Sequence, residues 1–83
     1  MGSITPNFMI ETKDYHKEVF TAEDIDDLLW CAAQYYGYDK PVLKFGIRGC
    51  YTVEEKVEMY NTFATCGDYE IQQIYEIGGR LYG

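Results

Sequence analysis

Residues 21–37, TAEDIDDLLWCAAQYYG, show the clearest helical pattern in the chain. Thr21 is predicted to be the N-cap, because Asp24 follows three residues later in the arrangement of a capping box. Gly37 is predicted to end the helix, and Pro41 prevents it from resuming. Apolar residues recur at the spacing of one helix face; they are Ile25, Leu28, Leu29, Ala32 and Tyr36.

A second helix is predicted after Thr52 for the same physical reasons. Thr52 is the expected N-cap, Glu55 completes a capping box, and Tyr51 precedes them where a hydrophobic staple would begin. Gly67 is the expected end of this helix. Its apolar stripe comprises Val53, Val57, Tyr60 and Ala64, with Met59 and Phe63 beside it.

The two helix starts resemble each other. Residues 20–24 are FTAED and residues 51–55 are YTVEE, 31 positions further along the chain. An internal duplication of an αβ unit would produce this similarity. Capping boxes are generic, however, so two independent good helix starts explain it more simply.

The remaining apolar segments alternate as strands do. Residues 8–12 and 15–20 are predicted as a tight hairpin or as one long bent strand, and residues 42–48 as a strand between the helices. A last strand is expected from Tyr69 to Ile77, followed by a short tail at 80–83. In that strand Tyr69, Ile71, Tyr75 and Ile77 are expected to share one face.

The strand pattern indicates a sheet with one covered face. Strands buried on both sides would be nearly continuously apolar, whereas these segments are polar at alternate positions. We therefore expect an α+β two-layer sandwich, with a three- or four-stranded sheet, two helices on one face and the order β(β)αβαβ. Residues 1–83 should form one small domain, with residues 1–6 flexible. A small three-layer parallel α/β fold is the alternative.

Composition narrows the class of function. The 83 residues hold 14 acidic and 7 basic side chains, a net charge of -7, and nine tyrosines. Such a surface repels nucleic acid and anionic membranes and attracts basic protein surfaces. No apolar run reaches the roughly 20 residues of a membrane span, and no secretion signal opens the chain. Three widely spaced cysteines suggest free thiols, so a cytoplasmic location is expected.

Catalytic and metal-binding patterns are weak. His16, Cys31, Cys50 and Cys66 are ligand types suited to zinc, but none of the cysteines has the short pair spacing of such sites. Cys50, just before a helix start, is expected to be the most reactive thiol. Gly46 and Gly49 do not form a phosphate-binding motif. We predict no catalytic residue, no metal and no cofactor.

Aromatic and acidic side chains suggest a protein interface instead. The rings around Trp30 and Tyr36 either wrap the edge of a small core or form a contact surface. The predicted partner-binding residues are Glu23, Asp24, Asp26, Asp27, Trp30, Tyr35, Tyr38, Glu54, Glu55 and Glu58. We expect a non-enzymatic inhibitor or adaptor that occupies a basic groove of a nucleic-acid-binding protein, without binding nucleic acid or membranes itself.

In composition the chain resembles phage or mobile-element proteins that block a host defence enzyme, including anti-CRISPR proteins and other DNA mimics. This resemblance covers no motif and transfers no residue. The alternative is a homo-oligomer, for example a homodimer, that sequesters a small anion or nucleotide. Its pocket would be lined by tyrosines with Arg48 or Arg80.

Overall fold

A computed structural model describes residues 5–38, 45–64 and 69–82, and only the backbone at Asp14. Two hairpins flank two helices along the chain. The elements are β1 (Asn7–Thr12), a 3₁₀ turn (Lys13–Tyr15), β2 (Lys17–Thr21), α1 (Ile25–Tyr36), α2 (Val53–Phe63), β3 (Ile71–Glu76) and β4 (Gly79–Tyr82). Of the segment predicted to be flexible, residues 1–4 lie outside the described chain.

The four strands form one antiparallel sheet in the order β2-β1-β3-β4. The first hairpin is confirmed, and β1 pairs at the centre with β3, where Ile10 lies opposite Ile74. The expected tail is in fact the edge strand β4, which pairs Arg80 with Tyr75. Both helices pack against this sheet, so the predicted α+β sandwich is confirmed and the parallel alternative is wrong.

The strand predicted at 42–48 is wrong where the structure describes it. Residues 45–47 form a helical turn, and residues 42–44 lie outside the described chain. Ile47 is fully buried whereas Phe45 is 82% exposed. A Cβ on Gly46 would lie 2.9 Å from Sδ of Met59, so glycine lets this turn approach α2 closely. The described residues between α1 and α2, 37–38 and 45–52, contain no strand.

A bulge in β3 changes which side chains reach the core. Thr12 pairs with Ile71 but Glu11 pairs with Gln73, so Gln72 is an extra residue in β3. The core face therefore switches from Ile71 to Ile74, and Tyr75 turns to the other face. The prediction that Tyr69, Ile71, Tyr75 and Ile77 share one face is wrong for this reason.

The core lies between the sheet and the apolar stripes of both helices. Most stripe positions predicted from the sequence are buried, although Ile25, Tyr36 and Val53 are only partly covered. Neither α1 nor α2 is long and apolar enough to span a bilayer, and the same holds for all helical residues that the structure describes. The core residues are Phe8, Ile10, Ala22, Leu28, Leu29, Ala32, Ala33, Ile47, Val57, Tyr60, Ile71 and Ile74.

The first helix starts three residues later than predicted. Its N-cap is Asp24, whose carboxylate accepts the N–H of Asp27 at 2.8 Å. Thr21 cannot cap, because β2 includes it and the N–H of Ala22 still donates to the carbonyl of Pro6. Gly37 ends α1 as predicted, with a φ of 82° that favours glycine.

The second helix begins as predicted. Thr52 and Glu55 form the reciprocal capping box, with hydrogen bonds of 3.1 and 3.2 Å. The expected staple is not made, because Tyr51 is 91% exposed. α2 ends at Phe63, and Gly67 lies outside the described residues.

Candidate binding surfaces

The acidic residues predicted to bind a partner lie mainly at the N-terminal ends of the two helices. Nζ of Lys56 in α2 lies 2.7 Å from Oδ1 of Asp26 in α1, an ion pair with both side chains partly buried. This pair brings the two helix starts together. We call these carboxylates the acidic surface; they are Glu23, Asp24, Asp26, Asp27, Glu54, Glu55 and Glu58.

Several of these carboxylates are already engaged within the fold. Asp24 caps α1, and Oδ2 of Asp27 accepts the N–H of Glu23 at 3.0 Å. Asp26 pairs with Lys56, and Glu55 belongs to the capping box of α2. These four stabilise helix starts, as negative charge does next to the positive end of the helix dipole. A partner would therefore meet chiefly three exposed side chains, namely Glu23, Glu54 and Glu58.

The aromatic residues predicted to bind a partner are divided by the fold. Trp30 and Tyr38 are partly buried and pack against the core. This agrees with the interpretation that these rings wrap the edge of a small core. Tyr35 is 61% exposed and lies away from the acidic surface, in the last turn of α1. The structure therefore does not place all the predicted residues on one surface.

A second concave surface, which the sequence did not reveal, surrounds Tyr35. We call this cleft of about 850 Å³ the tyrosine cleft. The hairpin β1–β2 forms one wall, the end of α1 forms another, and Tyr69 approaches from the segment before β3. The lining residues are Thr12, Lys13, Tyr15, His16, Glu18, Tyr35, Tyr36 and Tyr69.

Glu18 is the central polar group of the tyrosine cleft. The neighbours of Glu18 on β2, Lys17 and Val19, are exposed, whereas Glu18 and Phe20 are partly buried. Since alternate residues of a strand share a face, Glu18 and Phe20 both lie on the face that is turned toward α1. Nε2 of His16 lies 3.1 Å from Oε1 of Glu18, and the hydroxyl of Tyr35 donates to the same oxygen at 3.3 Å. Both hydrogen bonds end on Oε1, which leaves Oε2 open among the described contacts.

The rings around Glu18 contact one another in a continuous aromatic wall. Tyr36 and Tyr69 stack with ring centroids 4.4 Å apart and an interplanar angle of 18°. Tyr35 meets Tyr36 edge-to-face at 5.0 Å and Phe20 in the same way at 5.6 Å. Such contacts fix the orientation of the rings, because edge-to-face and offset-stacked pairs are the favoured geometries.

The hydroxyls of Tyr35 and Tyr36 lie near the negative charge of Glu18 and are partly shielded from water. The charge of Glu18 raises the pKa of Tyr35, with a smaller contribution from burial. Burial is the main cause that raises the pKa of Tyr36 to about 12, and Glu18 adds to it. The Tyr36 hydroxyl is buried and has no hydrogen-bond partner among the described residues. The cleft therefore disfavours further negative charge.

The rim of the tyrosine cleft is formed by the 3₁₀ turn. Tyr15 adopts a φ of 60°, which is uncommon for a residue with a bulky side chain, and its ring is exposed. Lys13 is also exposed at this rim. The turn thus presents an aromatic ring and a flexible cation to solvent.

The cations predicted for an anion pocket do not line the tyrosine cleft. Arg48 is exposed after the turn at 45–47. Arg80 lies in β4, with its guanidinium 5.5 Å from the centre of the Tyr75 ring, and it borders a smaller hollow of about 490 Å³ with Glu54 and Leu81. The cleft therefore matches the predicted tyrosine pocket in its rings but has a carboxylate at its centre.

Among the described residues, Cys31, Cys50 and His16 do not form a metal-binding group. Cys31 and Cys50 are half-buried, and Sγ of Cys50 lies 3.6 Å from the carbonyl oxygen of Gly46. Within residues 5–38, 45–64 and 69–82, no group of three His, Cys, Asp or Glu side chains could hold a metal ion. Cys66 lies outside those residues. The reactivity expected of Cys50 stays a prediction.

No protein-family model, no curated protein and no solved structure matches this chain significantly. The function must therefore be argued from the two surfaces themselves.

Proposed function

We propose that this chain is a non-enzymatic inhibitor or adaptor whose acidic surface occupies a basic groove of a nucleic-acid-binding protein. The observation that supports this proposal best is the ion pair between Lys56 and Asp26, 2.7 Å long, which joins the two helix starts. This pair holds the start of α2 close to the start of α1, the two places where most of the proposed binding carboxylates lie. Positions 21–27 and 50–60 contain one basic residue, Lys56, and Arg80 of β4 borders the smaller hollow together with Glu54.

The electrostatic reasoning is that of phosphate replacement. A groove that binds nucleic acid is lined with lysine and arginine, and clustered carboxylates can pair with those cations in place of phosphates. The net charge of -7 would also speed the encounter with a basic protein at low ionic strength. More specifically, we propose that the chain is a phage or mobile-element protein that blocks a host defence enzyme. Composition alone supports this more specific proposal.

Two variants of equal net charge test the acidic surface. Glu23→Gln with Glu54→Gln removes one exposed carboxylate from each helix start. Glu70→Gln with Glu76→Gln removes two exposed carboxylates elsewhere and serves as the control. These positions avoid Asp24, Asp26, Asp27 and Glu55, whose loss would disturb the helices.

The experiment is affinity capture from lysate of the native host at low salt, with elution by a salt gradient and identification by mass spectrometry. The proposal expects a nucleic-acid-binding protein that the wild type and the Glu70/Glu76 variant retain to the same salt concentration. The Glu23/Glu54 variant should release it at lower salt, since fewer charges contribute. Equal release from both variants would show that the acidic surface does not carry the binding.

A further inference from the structure

The tyrosine cleft is not explained by the acidic surface, because it lies at the other end of α1. That helix has 12 residues, so its ends are separated by about 18 Å at 1.5 Å per residue. Tyr35 and Tyr36 are its last two residues, whereas Asp24 caps its start. One partner large enough to cover α1 would meet both surfaces.

The electrostatics of the cleft favour a cation. Glu18 brings a carboxylate whose Oε2 is open among the described contacts. The C-terminal end of a helix carries partial negative charge, and the last turn of α1 contains no basic residue that would complement it. The raised pKa values of Tyr35 and Tyr36 are consistent with this negative potential.

The shape of the cleft favours a flat cation. Exposed tyrosine rings offer the negative faces of their π-systems, which attract cations within about 6 Å of the ring centre. A guanidinium group is planar, so it can stack on a ring and donate N–H groups to a carboxylate in the same geometry. A lysine ammonium lacks that planarity. Tyr35 and Tyr69, which are 61% and 38% exposed, supply the accessible rings.

We propose that the tyrosine cleft binds the guanidinium group of an arginine side chain, which stacks on Tyr35 and donates hydrogen bonds to Oε2 of Glu18. Since the arginine would come from the basic partner, this inference rests on the proposed function and extends it to a second contact point. Lys13 lies exposed at the rim, where its flexible side chain can move aside.

The probe that tests this inference is N-acetyl-arginine amide, added to the full chain while NMR follows the tyrosine rings. N-acetyl-citrulline amide is the matched control, because it keeps the shape and loses the charge. We expect arginine to shift the ring signals of Tyr35, Tyr36 and Tyr69 with millimolar affinity, and citrulline to bind at least about tenfold more weakly. Inorganic phosphate should leave these signals unchanged.

Substitutions of Glu18 and Tyr35, with a control at Glu76, locate the bound arginine. Glu18→Gln should weaken arginine binding by about tenfold or more, because a neutral amide replaces the ionised acceptor. Glu76→Gln removes an exposed carboxylate elsewhere and should leave binding unchanged. Tyr35→Phe keeps the ring and should retain most of the affinity, whereas Tyr35→Ala should lose it.

Four results would overturn the inference: no arginine binding, equal binding of citrulline and arginine, unchanged arginine binding in Glu18→Gln, or ring shifts produced by phosphate instead. The proposed function can fail separately. If arginine does not bind but partner release still depends on Glu23 and Glu54, only the cleft proposal fails. If arginine binds but those two carboxylates do not matter, the acidic surface fails.

Discussion

The side chain of Asn61 in α2 satisfies both backbone polar groups of Ile71 in β3. Its Oδ1 accepts the N–H of Ile71 at 2.8 Å, and its Nδ2 donates to the carbonyl of Ile71 at 3.1 Å. The amide thus imitates a neighbouring strand at the point where β3 begins. This pair of bonds ties α2 to the sheet just before the bulge at Gln72.

Replacing Asn61 should therefore destabilise the protein. Asn61→Ala leaves two partly buried backbone groups of Ile71 without partners, and we expect a loss of about 1–3 kcal/mol in the free energy of unfolding. Thr62→Ala, at an exposed neighbouring position, should change it by less than about 0.5 kcal/mol. Urea unfolding followed by circular dichroism measures both values. Equal effects of the two substitutions would show that the Asn61 bonds contribute nothing specific.

The capping box of α2 predicts a second stability change. Thr52→Ala removes the acceptor for the N–H of Glu55 and should cost about 1 kcal/mol. Thr52→Ser keeps the hydroxyl and should remain close to the wild type. Chemical denaturation of both variants tests this, and a Ser variant as unstable as the Ala variant would contradict a capping role.

The ion pair between Asp26 and Lys56 should show measurable coupling. In a double-mutant cycle with Asp26→Asn and Lys56→Met, we expect a coupling energy of about 0.3–1 kcal/mol, which decreases as salt is added. The partial burial of both groups limits screening but does not abolish it. A coupling energy of zero at low salt would remove the proposed link between the two helix starts.

The raised pKa of Tyr36 predicts a loss of stability at alkaline pH. An unfolded tyrosine has a pKa of 10.0, whereas that of Tyr36 in the folded chain is about 12. Above pH 10 the unfolded state releases a proton that the folded state retains, so stability present below pH 10 falls as the pH rises through about 12. Tyr36→Phe should show a shallower fall in urea-unfolding experiments from pH 9 to 11. An unchanged slope would contradict the burial of this hydroxyl.

The buried hydroxyl of Tyr60 leads to a further prediction about stability. Its ring is fully buried, burial raises the pKa of its hydroxyl, and the hydroxyl has no hydrogen-bond partner among the described residues. Tyr60→Phe should therefore be neutral or stabilising by up to about 1 kcal/mol. A thermal unfolding scan measures this. Marked destabilisation would reveal a polar partner for this hydroxyl.

Much of the fold was predictable because it depends on local patterns. The stripe of α1, the glycine stop at Gly37 and the capping box of Thr52 all follow from residues close in sequence. The same reasoning failed at 45–47, because the apolar residues of a segment as short as residues 42–48, VLKFGIR, fit the period of a strand or of a helix. It also failed at Thr21, where pairing of Ala22 with Pro6 prolongs the extended chain.

The tyrosine cleft could not be predicted, because its parts are distant in sequence. Glu18, Tyr35 and Tyr69 come together only through the hairpin β1–β2 and the approach to β3. The alternation on β2 was the one available signal, since it places Glu18 on the same face as Phe20. The acidic surface was easier to predict, because acidic residues are favoured at helix starts, which can be recognised in the sequence. Only the proximity of the two helix starts depends on the tertiary fold.

Competition with nucleic acid is the most direct test of the proposed function. The measurement is displacement of a labelled DNA duplex from the captured partner by increasing amounts of this protein at constant salt. The account predicts that the wild type and the Glu70/Glu76 variant displace DNA at equal concentrations, and that the Glu23/Glu54 variant requires at least about tenfold more. If the protein binds the partner without displacing DNA, or if both variants displace it equally, the carboxylates do not stand in for phosphates.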